Sequence, residues 1–213
     1  MLAPGRATTN GAGKRGPTLP TIARLPYSFD GRRVTDRLVL RLFVEDDFAA
    51  LYRMQSDDEV TRWLLWGARS PDEVRAALAR KLTDGTLAAD GDGLSLAVEL
   101  RETGETIGDA VIILRSVDNQ QGEVGYIIHP DHQGRGYATE TTVALLDIAF
   151  DEIELHRVCG RFEPRNVASG RVLERAGMRR EATLIENEWI RGEWQSEGIC
   201  AVLRSEWPER RPR

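Results

Sequence analysis

Residues 133–139, Gln133-Gly134-Arg135-Gly136-Tyr137-Ala138-Thr139, are the part of this chain whose types and spacing point most directly to chemistry. An apolar run, residues 124–128, precedes them, and a helical pattern follows from about Thr139. A strand that feeds a glycine turn and then opens a helix is an anion site. The first N–H groups of the helix lack partners inside it, and the helix dipole adds partial positive charge. Glycines at 134 and 136 permit both the turn and a close approach of backbone to a phosphate. Thr139 offers a hydroxyl to the same anion or is a plain first-turn residue; Arg135 pairs with phosphate or is simply solvated. Two nucleotide patterns fail. Gly134, Gly136 and Ala138 fall one residue short of G-x-G-x-x-G, and no Gly-Lys-Ser/Thr triplet occurs.

The remaining reactive side chains form no second centre. His129, His132 and His156 lack metal-ligand spacing with a third partner. Cys159 lies three residues after His156, and on a strand that odd spacing sends the two to opposite faces. Cys159 and Cys200 have neither disulfide nor zinc spacing and read as small core residues.

The elements that must position the turn follow from periodicity and caps. Residues 37–42 alternate polar and apolar, as a strand does. Residues 45–55 and 57–66 read as helices. Ser70-Pro71-Asp72-Glu73 has the cap, the proline and the reciprocal glutamate of a helix start, and that helix is expected to run to about Leu82. Strands are expected at 94–100, 106–114 and 120–128, the first two joined by a hairpin at 102–105. After the turn come a helix at 139–151, a strand at 156–162, and a helix at 166–176 that Asn166 caps and Gly177 stops. Strands at 179–186 and 197–204 close the chain. The class is mixed α/β, an α+β arrangement with hairpins early and crossover helices late.

Composition narrows the partners. The chain has 213 residues, 41% of them hydrophobic, which suits one sizeable domain. No apolar run approaches the roughly 20 residues of a membrane span. A net charge of −5 argues against nucleic acid. The N-terminus lacks the apolar segment of a signal peptide, so a cytoplasmic location is expected. Residues 1–34 are expected to form a flexible extension, with 22–33 packing on the domain as an arm and Arg6, Lys14 and Arg15 solvated or touching an acidic partner. The domain proper is expected at 35–207, with residues 208–213 as a flexible tail.

Three separated segments, in order, carry a family resemblance. Gln133, Gly136 and Ala138, preceded by Gly125-Tyr126-Ile127-Ile128-His129-Pro130, resemble the coenzyme A loop of the GNAT superfamily of N-acetyltransferases. Asn166-Val167-Ala168-Ser169-Gly170-Arg171-Val172-Leu173 is similar to a later helix of that family. Thr35-Asp36-Arg37-Leu38-Val39-Leu40-Arg41 looks like the opening strand of its RimJ/RimL branch, and Asn187-Glu188-Trp189 onward resembles that branch's end.

The resemblance implies a mostly antiparallel seven-stranded sheet with helices on both faces and a V-shaped opening between strands ending near Ile128 and Phe162. It implies acetyl-CoA as acyl donor, no metal, and an amine acceptor, either a protein N-terminus or a small molecule; it allows a homodimer. Cofactor contacts are then expected from the backbone at Ile127 and Ile128, from Gln133, Gly134, Arg135, Gly136, Tyr137, Ala138 and Thr139, and from Asn166 and Ser169. Glu188 stands where a catalytic base is proposed in that branch, with Glu186 and Glu193 as substitutes. Ser169 matches a serine that reaches the CoA sulfur, as proton donor or thiolate partner. Leu173 occupies the position where many members carry a tyrosine as general acid, which supports a non-catalytic acyl-CoA-binding module as an alternative; a transferase of larger acyl groups is a third reading. Trp63 and Trp66 line the acceptor pocket or pack in the core.

Overall fold

The computed structural model describes residues 23–212. The expectations for residues 1–22, including Arg6, Lys14 and Arg15, lie outside them. Two short strands come first, β1 (Tyr27–Ser28) and β2 (Arg32–Val34), and then the expected opening strand, β3 (Leu38–Leu42), with Leu38 and Leu40 fully buried. A 3-10 turn (Glu45–Asp47) leads into α1 (Phe48–Gln55), α2 (Asp58–Thr61) and α3 (Pro71–Lys81). The start of α3 is the reciprocal box expected there: Ser70 N–H donates to Glu73 Oε2 at 2.8 Å, and Glu73 N–H donates to Ser70 Oγ at 3.4 Å. Strand β4 (Thr86–Leu87) pairs only with β1.

A meander follows: β5 (Gly93–Leu100), β6 (Thr106–Ser116) and β7 (Gln121–Ile128). Helix α4 (Tyr137–Asp147), extended by a π-helical turn (Ile148–Glu152), crosses over to β8 (Arg157–Phe162), which lies parallel to β7. Then come α5 (Val167–Arg175), the long hairpin of β9 (Arg179–Ile190) and β10 (Glu193–Leu203), and α6 (Trp207–Arg210). The main sheet has the order β2-β3-β5-β6-β7-β8-β10-β9 and is antiparallel except at β7–β8.

Strand alternation sorts the core into two faces. Leu96, Val98, Val124 and Ile128 pack with Leu145, Leu146 and Phe150 from the α4 segment and Leu173 of α5. Ala97, with Ile127 beside it, packs instead with Leu51 and Met54 of α1 and Val74 and Leu78 of α3. Helices therefore cover both faces of a mostly antiparallel sheet, as expected.

The structure adjusts several boundaries. The sheet has eight strands, not seven, because β2 pairs with β3 at its edge, from Arg32↔Arg41 to Val34↔Val39. Arg32-Arg33-Val34 has no apolar alternation of its own, so only pairing makes it a strand. Within the 1–34 extension, the arm expected over 22–33 packs on the domain from residue 23 onward, with Ala23 and Phe29 buried in the main core. At the other end, Arg211, expected in a flexible tail, is tied down: it donates to Asp147 Oδ1 at 2.7 Å, an oxygen that also accepts from Trp207 Nε1 of the domain at 3.1 Å. The helix expected over 57–66 stops at Thr61. The next carbonyl, Arg62 O, accepts from the Arg191 guanidinium at 2.6 Å, a contact from the tip of the β9–β10 hairpin.

Candidate active site

The cleft begins where two strands part. β7 and β8 pair only at Gln121↔Arg157, Gly122↔Val158 and Glu123↔Cys159. Beyond that point, residues 124–128 and 160–162 have no partner in each other, while β7 stays paired with β6 as far as Gly108↔Ile128. One edge of β7 is thus left with backbone hydrogen-bonding groups facing an opening. Glu123 sits at the fork and bonds Arg115 at 2.9 Å and Arg161 at 3.0 Å, so the divergence starts from a charged clasp.

The end of β7 runs directly into the glycine turn. A 3-10 turn (Pro130–His132) reverses the chain, and Gln133 Nε2 donates back to Ile128 O at 2.8 Å. Gly134 and Gly136 have φ of 73° and 84°, the left-handed region where a side chain is strained. Gly136 is the N-cap of α4, which starts at Tyr137, two residues before the expected Thr139. A glycine cap has no side chain to offer the helix, and among the described residues the N–H groups of 134–139 have no protein acceptor. This cradle fits a phosphate, the chemistry expected from the sequence.

A second element holds the cradle, and sequence reading missed it. Arg37, just before β3, donates through Nε to Glu140 Oε2 at 2.7 Å and through a terminal nitrogen to Arg135 O at 3.0 Å. Its guanidinium lies 4.6 Å from the centre of the Tyr137 ring. Glu140 also accepts from Thr35 Oγ1 at 2.6 Å and from the Arg37 backbone at 2.9 Å. Burial by itself would raise the Glu140 carboxyl, but the bonds from Thr35 and Arg37 outweigh it and hold the group below the usual carboxylate range. Thr35 and Arg37 occur in one segment that carried the resemblance, and Glu140 lies two residues beyond Ala138 of another. What the sequence does not state is that those segments touch.

Helix α5 brings Asn166 and Ser169 to the same opening. Asn166 Oδ1 caps the helix, accepting from Ser169 N–H at 3.2 Å. The Ser169 hydroxyl lies 3.3 Å from the Tyr126 hydroxyl, which comes from the part of β7 that has left β8. Burial pushes the Tyr126 phenol up to about 12, against a smaller lowering by the Ser169 bond. Leu173 is buried and packs against the core. The tyrosine near Ser169 therefore comes from a strand, and alternation with Val124 and Ile128 was the signal that could have found it.

The expected base is less tied down. Glu188 lies on β9 opposite Gln195 of β10, half-buried, and its carboxylate makes no hydrogen bond or ion pair with another described residue. Glu186 is exposed, with a positive φ of 47°. Glu193 bonds Arg165 at 2.9 Å and Gln195 at 3.1 Å, and Arg165 first, then Gln195, hold its carboxyl low. No contact joins any of the three to Ser169. The Arg62 and Arg165 guanidinium groups lie 4.4 and 5.6 Å from the centre of the Trp63 ring, while Arg69 lies 3.7 Å from the centre of the Trp66 ring. Among the described residues no His, Cys, Asp and Glu cluster could hold a metal, and no helix is long and apolar enough to cross a membrane.

Comparison with known proteins agrees with this architecture. Residues 37–179 match the family described as "Acetyltransferase (GNAT) domain". The uncharacterized N-acetyltransferase YnaD of Bacillus subtilis (strain 168) is 30% identical over 173 residues, 81% of this chain and 97% of that protein. The crystal structure of a GNAT-family acetyltransferase from Bacillus anthracis superposes with a TM-score of 0.74 at 27% identity, covering 83% of this chain and 100% of that one. A spermidine N-acetyltransferase from Vibrio cholerae, solved in complex with CoA and spermine, shares the fold at a TM-score of 0.70 and 22% identity, over 82% of this chain and 99% of that one. A match that spans the glycine turn and α5 together, on a sheet whose β7 and β8 part, makes this chain a member of the GNAT family of N-acetyltransferases.

Proposed function

We propose that the protein is an acetyl-CoA-dependent N-acetyltransferase of RimJ/RimL type. It would transfer an acetyl group to a primary amine, on a protein N-terminus or a small molecule, by direct attack in a ternary complex. The observation that carries this reading is the row of unpartnered N–H groups at 134–139, continuous with the unpaired edge of β7. Acetyl-CoA, when bound, supplies an acyl group activated as a thioester.

The chain's own residues do the rest. The backbone of Gly134, Arg135, Gly136, Tyr137, Ala138 and Thr139 holds the pyrophosphate at the α4 terminus. The edge of β7 at Ile127 and Ile128 takes the pantetheine arm as an added strand, and one N–H there polarises the carbonyl. Asn166 spends its side-chain oxygen on the α5 cap and keeps its amide N–H groups for the arm. Ser169 meets the sulfur, and Glu188 accepts the proton lost by the amine. An α-amino group, with a pKa of about 8, is partly neutral at pH 7, whereas a lysine near ~10.4 must be deprotonated by the site. Among acceptors, an N-terminal amine therefore asks least of Glu188. A homodimer and a cytoplasmic location belong to the same proposal, and sedimentation of the purified protein tests the first.

The test is thiol release from acetyl-CoA across a panel of N-terminal peptides, polyamines, aminoglycosides and amino acids. Release with one acceptor class is the expected result. Tight coenzyme A binding without release for every acceptor would select a non-catalytic acyl-CoA module, the reading that the buried Leu173 favours. Repeating the panel with succinyl-CoA distinguishes a transferase of larger acyl groups.

A further inference from the structure

We propose that Tyr126 is a positioning residue that aims the Ser169 hydroxyl at the sulfur leaving the acyl donor. The role deepens the transferase reading above and rests on it.

The geometry comes from two elements that meet only in the fold. Tyr126 lies in the segment of β7 that has parted from β8, on the face that Val124 and Ile128 turn toward α4 and α5. Ser169 is in the first turn of α5, and its backbone is fixed by the Asn166 cap. The two hydroxyls are 3.3 Å apart. That is long for a hydroxyl pair, as apo-site hydrogen bonds often are before substrate tightens them. Tyr126 packs against the main core, so its ring has little freedom to leave.

Direction follows from acidity. A phenol is a much stronger hydrogen-bond donor than an alkyl hydroxyl, so Tyr126 donates and the Ser169 oxygen accepts. Burial pushes the phenol up to about 12, which keeps it protonated through the working range and makes it a permanent donor. A Ser169 oxygen occupied in this way turns its own hydrogen elsewhere, into the opening. Leu173, buried and apolar, offers no competing donor from the same helix.

The same acidity argues against Tyr126 as the acid itself. A phenol this weak does not give its proton to a thiolate, which is the weaker base. The step instead balances without a transfer from tyrosine. The amine nitrogen bonds to the carbonyl carbon, the carbon–sulfur bond breaks, and its electron pair stays on sulfur. Ser169 hydrogen-bonds the thiolate, the amine proton goes to the base, and the thiolate later takes a proton from water.

The experiment is a double-mutant cycle read as kcat, with coenzyme A affinity measured on every variant. Tyr126→Phe is expected to lower kcat about five- to tenfold, the worth of one hydrogen bond, and to leave coenzyme A affinity near wild type. Ser169→Ala is expected to lower kcat at least as much. The decisive arm is Tyr126→Phe in the Ser169→Ala background, where a positioning role predicts no further loss. Multiplied losses, or a Tyr126→Phe variant that loses coenzyme A affinity in proportion to turnover, would overturn the role and leave the transferase reading in place. A wild-type protein that releases no thiol with any acceptor would overturn the reading and the role with it.

Discussion

On the β7–α4 side of the cleft, the turn proposed to hold the donor is tied at several points. Gln133 straps the turn to Ile128, and Arg37 grips Glu140 and the carbonyl of Arg135. On the β9–β10 side, the Glu188 side chain stands half-buried with no hydrogen bond, and the outer part of the hairpin, beyond where β10 pairs with β8, is held through Arg191 at its tip and Glu193 on Arg165. The first side suits a ligand that never changes, because preorganised N–H groups need no rearrangement to bind phosphate. The second suits an acceptor that differs between relatives, because a long hairpin changes its side chains without disturbing the core.

The largest expected effect tests the looser side. Glu188→Gln should lower kcat about a hundredfold or more at pH 7, as loss of a general base does, with coenzyme A affinity unchanged. Near-normal turnover would move the base to Glu186 or Glu193 and leave the donor side as described. Next comes the rigid side. Gly136→Val puts a branched side chain at φ of 84°, with a Cβ only 3.4 Å from the Arg37 guanidinium. At about 1–3 kcal/mol of strain, coenzyme A should bind roughly tenfold to a hundredfold more weakly by calorimetry. Unchanged affinity would mean that the turn is not the phosphate site.

A smaller effect is expected from the clamp. Glu140→Gln should weaken coenzyme A about three- to tenfold, since it loses charge but keeps one acceptor oxygen. The pH dependence has a definite sign. Because the folded Glu140 carboxyl lies below its unfolded value, its contribution to stability is fully present above about pH 5. It fades as pH falls through the folded pKa, so the wild-type melting advantage over Glu140→Gln should shrink in acid. The smallest effect belongs to the hairpin surface. Trp189 and Trp194 are 61% and 56% exposed and lean on each other, with ring centres 5.3 Å apart. Trp189→Ser should change stability by less than about 1 kcal/mol in a denaturant melt. A larger loss would show that this side is less independent than it looks.

The same contrast governs what could be read from the sequence. The α3 box at Ser70 and Glu73, the α5 cap at Asn166, and the stop at Gly177 are local signals, and each appears where the residues put it. The glycine turn is local too, since positive φ at 134 and 136 needs only those residue types. Failures begin where a partner far along the chain decides. Arg62 O is captured from Arg191, so α2 ends early; Arg32-Arg33-Val34 becomes a strand only because β3 lies beside it. The Arg37–Glu140 and Tyr126–Ser169 pairs join residues 103 and 43 positions apart, respectively. Each residue was visible, but the pairing exists only in three dimensions.

The bond from Gln133 to Ile128 has a further consequence. It closes the chain between the strand edge and the turn into a short strutted loop, so the gap from the end of β7 to the N-terminus of α4 is a fixed length. A strutted gap works as a measuring rod. A ligand anchored by its phosphates at one end is delivered to the strand at one distance only. Inserting a single residue between His132 and Gln133 would leave both the anchor and the edge intact and still put them out of step.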